Sequence, residues 1–386
     1  MRALFVASPG LGHLFPTVPL AQALRAAGHD VRYATGGLSV AASDAGFTVV
    51  DATPGLDYLK VYMPDDTSAE EDGDPVDGNP MFAEDPEDAQ LARLFARVSG
   101  VMVDGVLEAA RSWSPDLVVA PPLQGAGALA ASALGLPLAE LRLGSYDSGS
   151  GLRAMLREAM DADYERHGVT GAPAATAPIS VLPPSFTALL PPERRSRDAW
   201  PMRHVPYNGG AVLPGWLLER PARPRIAVTL GTIEAQWGGI AVLRPLIAAA
   251  GGVDAEFVVT LGGGDATLLG PLPDNVRTVE WAPLDALLES CAAIVHHGGS
   301  GTTMTAVAAG IPQCVLPRGS YQQTGGEVIP RRGIGLIADA DSIGAAECQA
   351  LLKDEGMRDA AEQAREELRS MPSPAELVPE LVGFAG

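Results

Sequence analysis

Apolar runs of strand length recur in the first 140 residues at 2–7, 30–35, 47–51 and 116–120. Between and after them, at 15–27, 37–45, 88–111 and 124–134, apolar positions return every three or four residues. Strand-length runs alternating with helix-period segments predict parallel βαβ units. The stretch 172–222 breaks the pattern: it carries Pro183-Pro184, Pro191-Pro192, Pro201, Pro206 and Pro214, shows no long period, and predicts a domain linker. Alternation resumes with strand-like runs at 225–230, 255–260, 276–280, 292–296, 313–316 and 335–338. At 386 residues the chain exceeds what one core usually serves. The expectation is an α/β protein of two Rossmann-like parallel-sheet domains facing across a cleft: 1–205, a linker at 206–222, and 223–370. A closing helix at 371–386 is expected to pack back on the first domain. Sheets of this kind bind ligands at the carboxyl ends of their strands.

Charge then narrows the ligand. Asp and Glu number 47 against 27 Lys and Arg, a net charge of −20. Nucleic acid is excluded as a partner, because phosphate backbones are held by clustered cations. A small diphosphate ligand would need local positive potential, such as a helix N-terminus. Eleven of the acidic residues fall between Asp65 and Asp88 with no basic residue among them; a solvated, mobile loop is expected, and a candidate lid. Cys291, Cys314 and Cys348 have neither metal nor disulfide-framework spacing and read as reduced thiols. The chain starts directly on a strand-like run, and no apolar stretch approaches the roughly 20 residues of a membrane span. A cytoplasmic protein without a membrane span is expected.

The chemistry concentrates in Trp281-Ala282-Pro283-Leu284-Asp285, then Ile294-Val295-His296-His297-Gly298-Gly299-Ser300-Gly301-Thr302-Thr303. A buried strand ends in a glycine-rich turn and enters a helix opened by Ser300. Glycines let the backbone approach an anion, and the first N–H groups of the helix have no intrahelical acceptors. His297 at the strand end can donate to a phosphate oxygen. A glycine turn that merely joins strand to helix is the simpler account of Gly298 and Gly299 alone; His297 and Trp281 beside it favour phosphate.

This block resembles the donor signature of inverting glycosyltransferases with the GT-B fold, above all the bacterial enzymes that glycosylate antibiotics and other natural products. The likeness extends to Gly12-His13-Leu14-Phe15-Pro16, Pro206-Tyr207-Asn208-Gly209 and Thr229-Leu230-Gly231-Thr232. The resemblance implies that Trp281 stacks on a pyrimidine whose edge pairs with the backbone of Ala282 and Pro283. It implies that Thr232, His297, Gly298, Gly299, Ser300, Gly301 and Thr302 surround the diphosphate, with Tyr321 and Gln322 at the donor sugar and His13 as general base toward the acceptor. Displacement at the anomeric carbon needs a base for the acceptor proton, which imidazole suits. It also needs stabilisation of the leaving diphosphate, which the helix N-terminus and His297 suit without metal. No cofactor is implied beyond the nucleotide-sugar co-substrate.

Three departures from the family pattern sharpen the reading. Pro115-Asp116-Leu117-Val118-Val119 is followed by Ala120-Pro121-Pro122, so the Asp that orients the catalytic histidine is missing. His13 is then a weaker base, borrows another carboxylate, or serves an acceptor that is already acidic. Tyr321 replaces the Asp that holds hexose hydroxyls, which predicts a deoxysugar donor. Thr305 stands where relatives place a Glu against the ribose, which favours thymidine diphosphate (TDP). The acceptor is expected to be a small apolar aglycone, most simply an aromatic polyketide of antibiotic biosynthesis. Leu152, Met155, Leu156 and Met160 form an apolar stripe that serves the core or the acceptor pocket. A homodimer or a helper protein stays open. A nicotinamide enzyme is disfavoured because Phe15 stands at the third glycine of the fingerprint begun by Gly10 and Gly12. A nucleotide-sugar epimerase and a non-catalytic auxiliary protein of the same fold remain as alternatives.

Overall fold

The computed structural model describes residues 1–62, 88–144, 150–196, 198–236, 239–319, 322 and 325–386. The acidic segment and Tyr321 therefore lie outside the described residues, apart from Asp88. The chain divides into two compact units. The described residues up to Val205 form one together with Met371–Gly386, and the described residues of Pro206–Ser370 form the other.

The first unit holds a seven-stranded sheet in the order β3-β2-β1-β4-β5-β6-β7. Its strands are β1 (Arg2–Val6), β2 (Asp30–Thr35), β3 (Thr48–Asp51), β4 (Leu117–Ala120), β5 (Leu138–Arg142), β6 (Thr176–Ser180) and β7 (Trp200–Pro201). The second holds six in the order β10-β9-β8-β11-β12-β13. These are β8 (Arg225–Thr229), β9 (Glu256–Thr260), β10 (Val276–Val279), β11 (Ala293–His296), β12 (Gln313–Val315) and β13 (Gly335–Ile337). Every pairing is parallel. Ile226, Val228, Phe257, Val259, Ala293 and Val295 are buried in one core of the second unit. Strands covered on both faces account for the unbroken apolar runs in the sequence.

Several local expectations are corrected. The segment 37–45 is a 3-10 helix at Gly37–Ser43. The single helix expected over 88–111 is two, Asp88–Gly100 and Val103–Trp113, parted at Val101 and Met102. The proline-rich stretch contributes two short strands to the first sheet, β6 with Pro178 and β7 with Pro201, at the outer end of the strand order. The strand Leu138–Arg142 was not expected, because Glu140 and Arg142 interrupt its apolar run; both are nevertheless buried. The closing helix Pro374–Ala385 packs on the helix Val18–Ala26. Its Leu377, Val378 and Leu381 are buried, and Phe384 meets Trp200 edge-on at 5.5 Å.

Candidate functional site

In the second sheet β8 connects toward β9 on one side and β11 toward β12 on the other. The carboxyl ends of β8 and β11 therefore flank the switch point of the sheet, with His296 level with Thr229. Two loops leave the sheet there, one carrying Gly231 and Thr232, the other His297 to Thr302. Gly231 has φ +72°, and a Cβ on it would lie 2.9 Å from Cε1 of His297. The imidazole packs directly on this glycine, which brings the two loops together as the motif requires.

The helix Ser300–Ala309 begins behind Gly299, an extended N-cap that has no side chain to satisfy the first amides. Its first bond runs from Thr303 N–H to the Gly299 carbonyl, 2.9 Å. The amides of Ser300, Gly301 and Thr302 precede that bond and face outward from the helix end. Burial lowers the pKa of His297 to about 4, with the Thr229 backbone opposing in part. Its Nδ1 is buried and, among the described residues, has no hydrogen-bond partner. The uncapped helix start fits an incoming anion, and the neutral imidazole beside it can donate to one from Nδ1 in the tautomer that carries the proton there.

Trp281 follows β10, two strands from the switch point, and is 39% exposed, whereas Ala282 and Pro283 are buried. The Asp285 N–H donates to Asn208 Oδ1 at 3.1 Å, so the Pro-Tyr-Asn-Gly segment braces the turn that carries the indole. Sequence reading assigned Asn208 no such contact. Gln322 is buried, and its Oε1 accepts the Arg318 N–H at 2.6 Å. Thr305 donates its hydroxyl to the Gly301 carbonyl at 2.8 Å and is buried, so the side chain is turned into the helix.

In the first sheet the switch point lies between β1 and β4. His13 sits beyond β1 in the short helix Leu11–Leu14, edge-on to Phe95 with ring centroids 5.9 Å apart. Burial lowers its pKa to about 4, and among the described residues no carboxylate hydrogen-bonds it. The loop after β4, where the expected Asp is missing, brings in Gln124. Its Nε2 donates to Ser8 Oγ at 3.0 Å, and its Oε1 caps the helix Gly125–Leu134.

A cavity of about 360 Å³ in this unit is lined by Pro121, Gln124, Leu156, Met160, Glu140 and Arg153, among others. Its size is at the lower end for a small-molecule site. Glu140 is buried there and accepts from Arg153 at 2.7 Å. Of the predicted stripe, Leu152, Leu156 and Met160 are buried, while Met155 is exposed and drops out. The sequence alone did not show Gln124, Glu140 or Arg153 as a group, because they come from separate elements. Among the described residues no His, Cys, Asp and Glu cluster could hold a metal, and no helix is long and apolar enough to cross a membrane. The three cysteines are buried and free.

Comparison with known proteins gives a consistent result over nearly the whole chain. Residues 22–231 match the N-terminal domain of the erythromycin biosynthesis protein CIII-like family, and residues 244–384 match its C-terminal domain. The chain is 37% identical to the elloramycin glycosyltransferase ElmGT of Streptomyces olivaceus, covering 99% of this chain and 97% of that protein. It is 55% identical to the glycosyltransferase SnogD of Streptomyces nogalater, whose crystal structure matches at a TM-score of 0.87 over 100% and 99% of the two chains. The Streptomyces sp. SF2575 glycosyltransferase SsfS6, solved with thymidine diphosphate, matches at 0.79 with 27% identity over 99% of each chain.

Proposed function

The chain belongs to the erythromycin CIII-like natural-product glycosyltransferases of the GT-B fold, and from that premise we propose that it transfers a deoxysugar from a TDP-sugar to a small apolar aglycone, an aromatic polyketide of antibiotic biosynthesis. The observation that carries the proposal is the turn at the carboxyl ends of β8 and β11. There the uncapped amides of Ser300, Gly301 and Thr302 supply positive potential within a strongly acidic chain, with the imidazole of His297 beside them.

In this reading the diphosphate accepts hydrogen bonds from that helix start and from His297, and Thr232 approaches it from the β8 loop. Because these donors are fixed before the donor arrives, they stabilise charge on the departing diphosphate without reorganisation. The exposed indole of Trp281 offers its face to thymine, and the turn at Ala282 and Pro283 offers backbone groups to its edge. The inward-turned Thr305 provides no carboxylate for a ribose 2′-hydroxyl, which supports thymidine over uridine. Gln322 retains one amide for the sugar, and Tyr321 presents no acceptor carboxylate for a hexose hydroxyl.

His13 takes the proton of the acceptor. Held near pKa 4, it is neutral at pH 7 but a weak base. That matches an acceptor whose hydroxyl is itself acidic, such as a phenol, which needs less help from a dyad Asp. The apolar walls of the cavity in the first unit, with Gln124, Glu140 and Arg153 among its polar groups, suit an aromatic aglycone. Mass-spectrometric detection of transfer from paired TDP-deoxyhexose and TDP-glucose donors to aromatic polyketide aglycones tests the proposal. Faster turnover with the deoxyhexose supports it, and faster turnover with glucose contradicts it.

A further inference from the structure

His296 precedes the proposed phosphate ligand and has so far carried no role. It is the last residue of β11 and is fully buried. Both of its ring nitrogens are engaged. Nδ1 accepts the Gly298 N–H at 3.0 Å, and Nε2 lies 3.0 Å from Oε1 of Gln313 on β12. A nitrogen that accepts from an amide cannot also carry a proton. The proton is therefore on Nε2, donated to Gln313, and the ring is neutral.

The bond to Gly298 falls at the point where the turn reverses. Gly298 has φ +94°, and its α-carbon is packed so closely that a Cβ would lie 2.9 Å from Val315 Cγ1 and 3.2 Å from the Gln322 carbonyl oxygen. Its amide is buried, so without His296 it would be an orphan donor, and a different path through the turn would relieve it. The next residue is Gly299, from which the helix start departs. The sheet thus reaches through Gln313 and His296 to fix the peptide that aims the anion-facing amides.

We propose that His296 is a positioning residue for the donor site: a neutral imidazole strut that holds the Gly298 amide and so keeps the helix start open to the diphosphate. The inference rests on the donor reading given above, although the strut itself does not require it. Burial and the neighbouring His297 lower the pKa of His296 to about 3, which keeps the strut neutral across the working range. His296 does not touch the donor; it acts through the turn.

Two variants separate the bonds. In His296→Asn the side-chain oxygen can take the place of Nδ1 toward Gly298, whereas in His296→Gln the terminal amide reaches toward Gln313 and abandons Gly298. Amide hydrogen exchange of Gly298 in the ligand-free protein, and calorimetry with TDP, are measured on both. Protection and TDP affinity are expected to stay within about 3-fold in His296→Asn and to fall about 10-fold in His296→Gln. Equal TDP affinity in the two variants overturns the positioning role. If His296→Gln does not fold, long-range proton–nitrogen NMR of the wild-type histidines decides. An Nε2–H tautomer persisting to pH 5 supports the strut, and an Nδ1–H tautomer or an imidazolium at pH 6 overturns it. Failure of the wild-type protein to bind TDP would instead refute the donor reading, and exchange and tautomer would still judge the strut.

Discussion

His13 and His297 are both held by burial at a pKa of about 4, so each is neutral at pH 7. For His13 the consequence is a displaced acid limb. In the free enzyme kcat/KM should stay level as pH falls from 7 to about 5 and decline only toward 4; a decline centred near 6.5 would show an ordinary imidazole and contradict the assignment. His13→Ala should lower kcat by roughly 10² to 10⁴-fold while leaving TDP affinity unchanged, as calorimetry beside turnover would show. His297→Ala should do the reverse first, weakening TDP by about 10-fold or more through loss of a donor to a charged oxygen. The two histidines were legible in the sequence because each sits in a compact local motif. Gln124 was not: its meaning depends on Ser8, which lies 116 residues away, and no local pattern encodes that contact.

Among the elements, the turns at Gly231 and Gly298 carry the site. Gly231→Ala combines a left-handed backbone with a Cβ 2.9 Å from the His297 ring. The cost should be about 1–2 kcal/mol from the backbone alone, with a loss of TDP affinity beyond it, read by urea unfolding and calorimetry. Unchanged binding would mean that the imidazole does not depend on this approach. The strand–helix alternation was readable because parallel strands buried on both faces leave continuous apolar runs. The exceptions have physical causes. The strand Leu138–Arg142 hides behind two buried charged residues, of which Glu140 is neutralised by Arg153. The break after Gly100 falls inside a continuous helical period, so the sequence shows one helix where the chain turns at Val101 and Met102. The strands of 172–205 are short and proline-rich, so the sequence shows the breaks and not the pairing.

For the whole molecule, four desolvated histidines set the response to acid, His204 and His296 buried and His13 and His297 partly so. His13, His204 and His297 are lowered to about 4 and His296 to about 3. Each is neutral when folded but protonates near 6.5 when unfolded, so its contribution is full above pH 6.5 and is lost as pH falls toward 4. Each should cost roughly 2 kcal/mol by pH 5; Tm measured from pH 7 to 5 should fall steadily, and a constant Tm would contradict the burial. Truncation after Met371 removes Leu377, Val378 and Leu381 from the helix Val18–Ala26, and should destabilise the first unit by about 3–6 kcal/mol in urea titrations. Donor binding depends on the small region of positive potential that this acidic chain builds for a thymidine diphosphate. Calorimetric titration of the purified protein with TDP and with UDP tests it most directly, since neither titration needs the aglycone. TDP should bind about 10-fold tighter than UDP; UDP binding as tightly as TDP, or more tightly, would rule out a site built for thymidine.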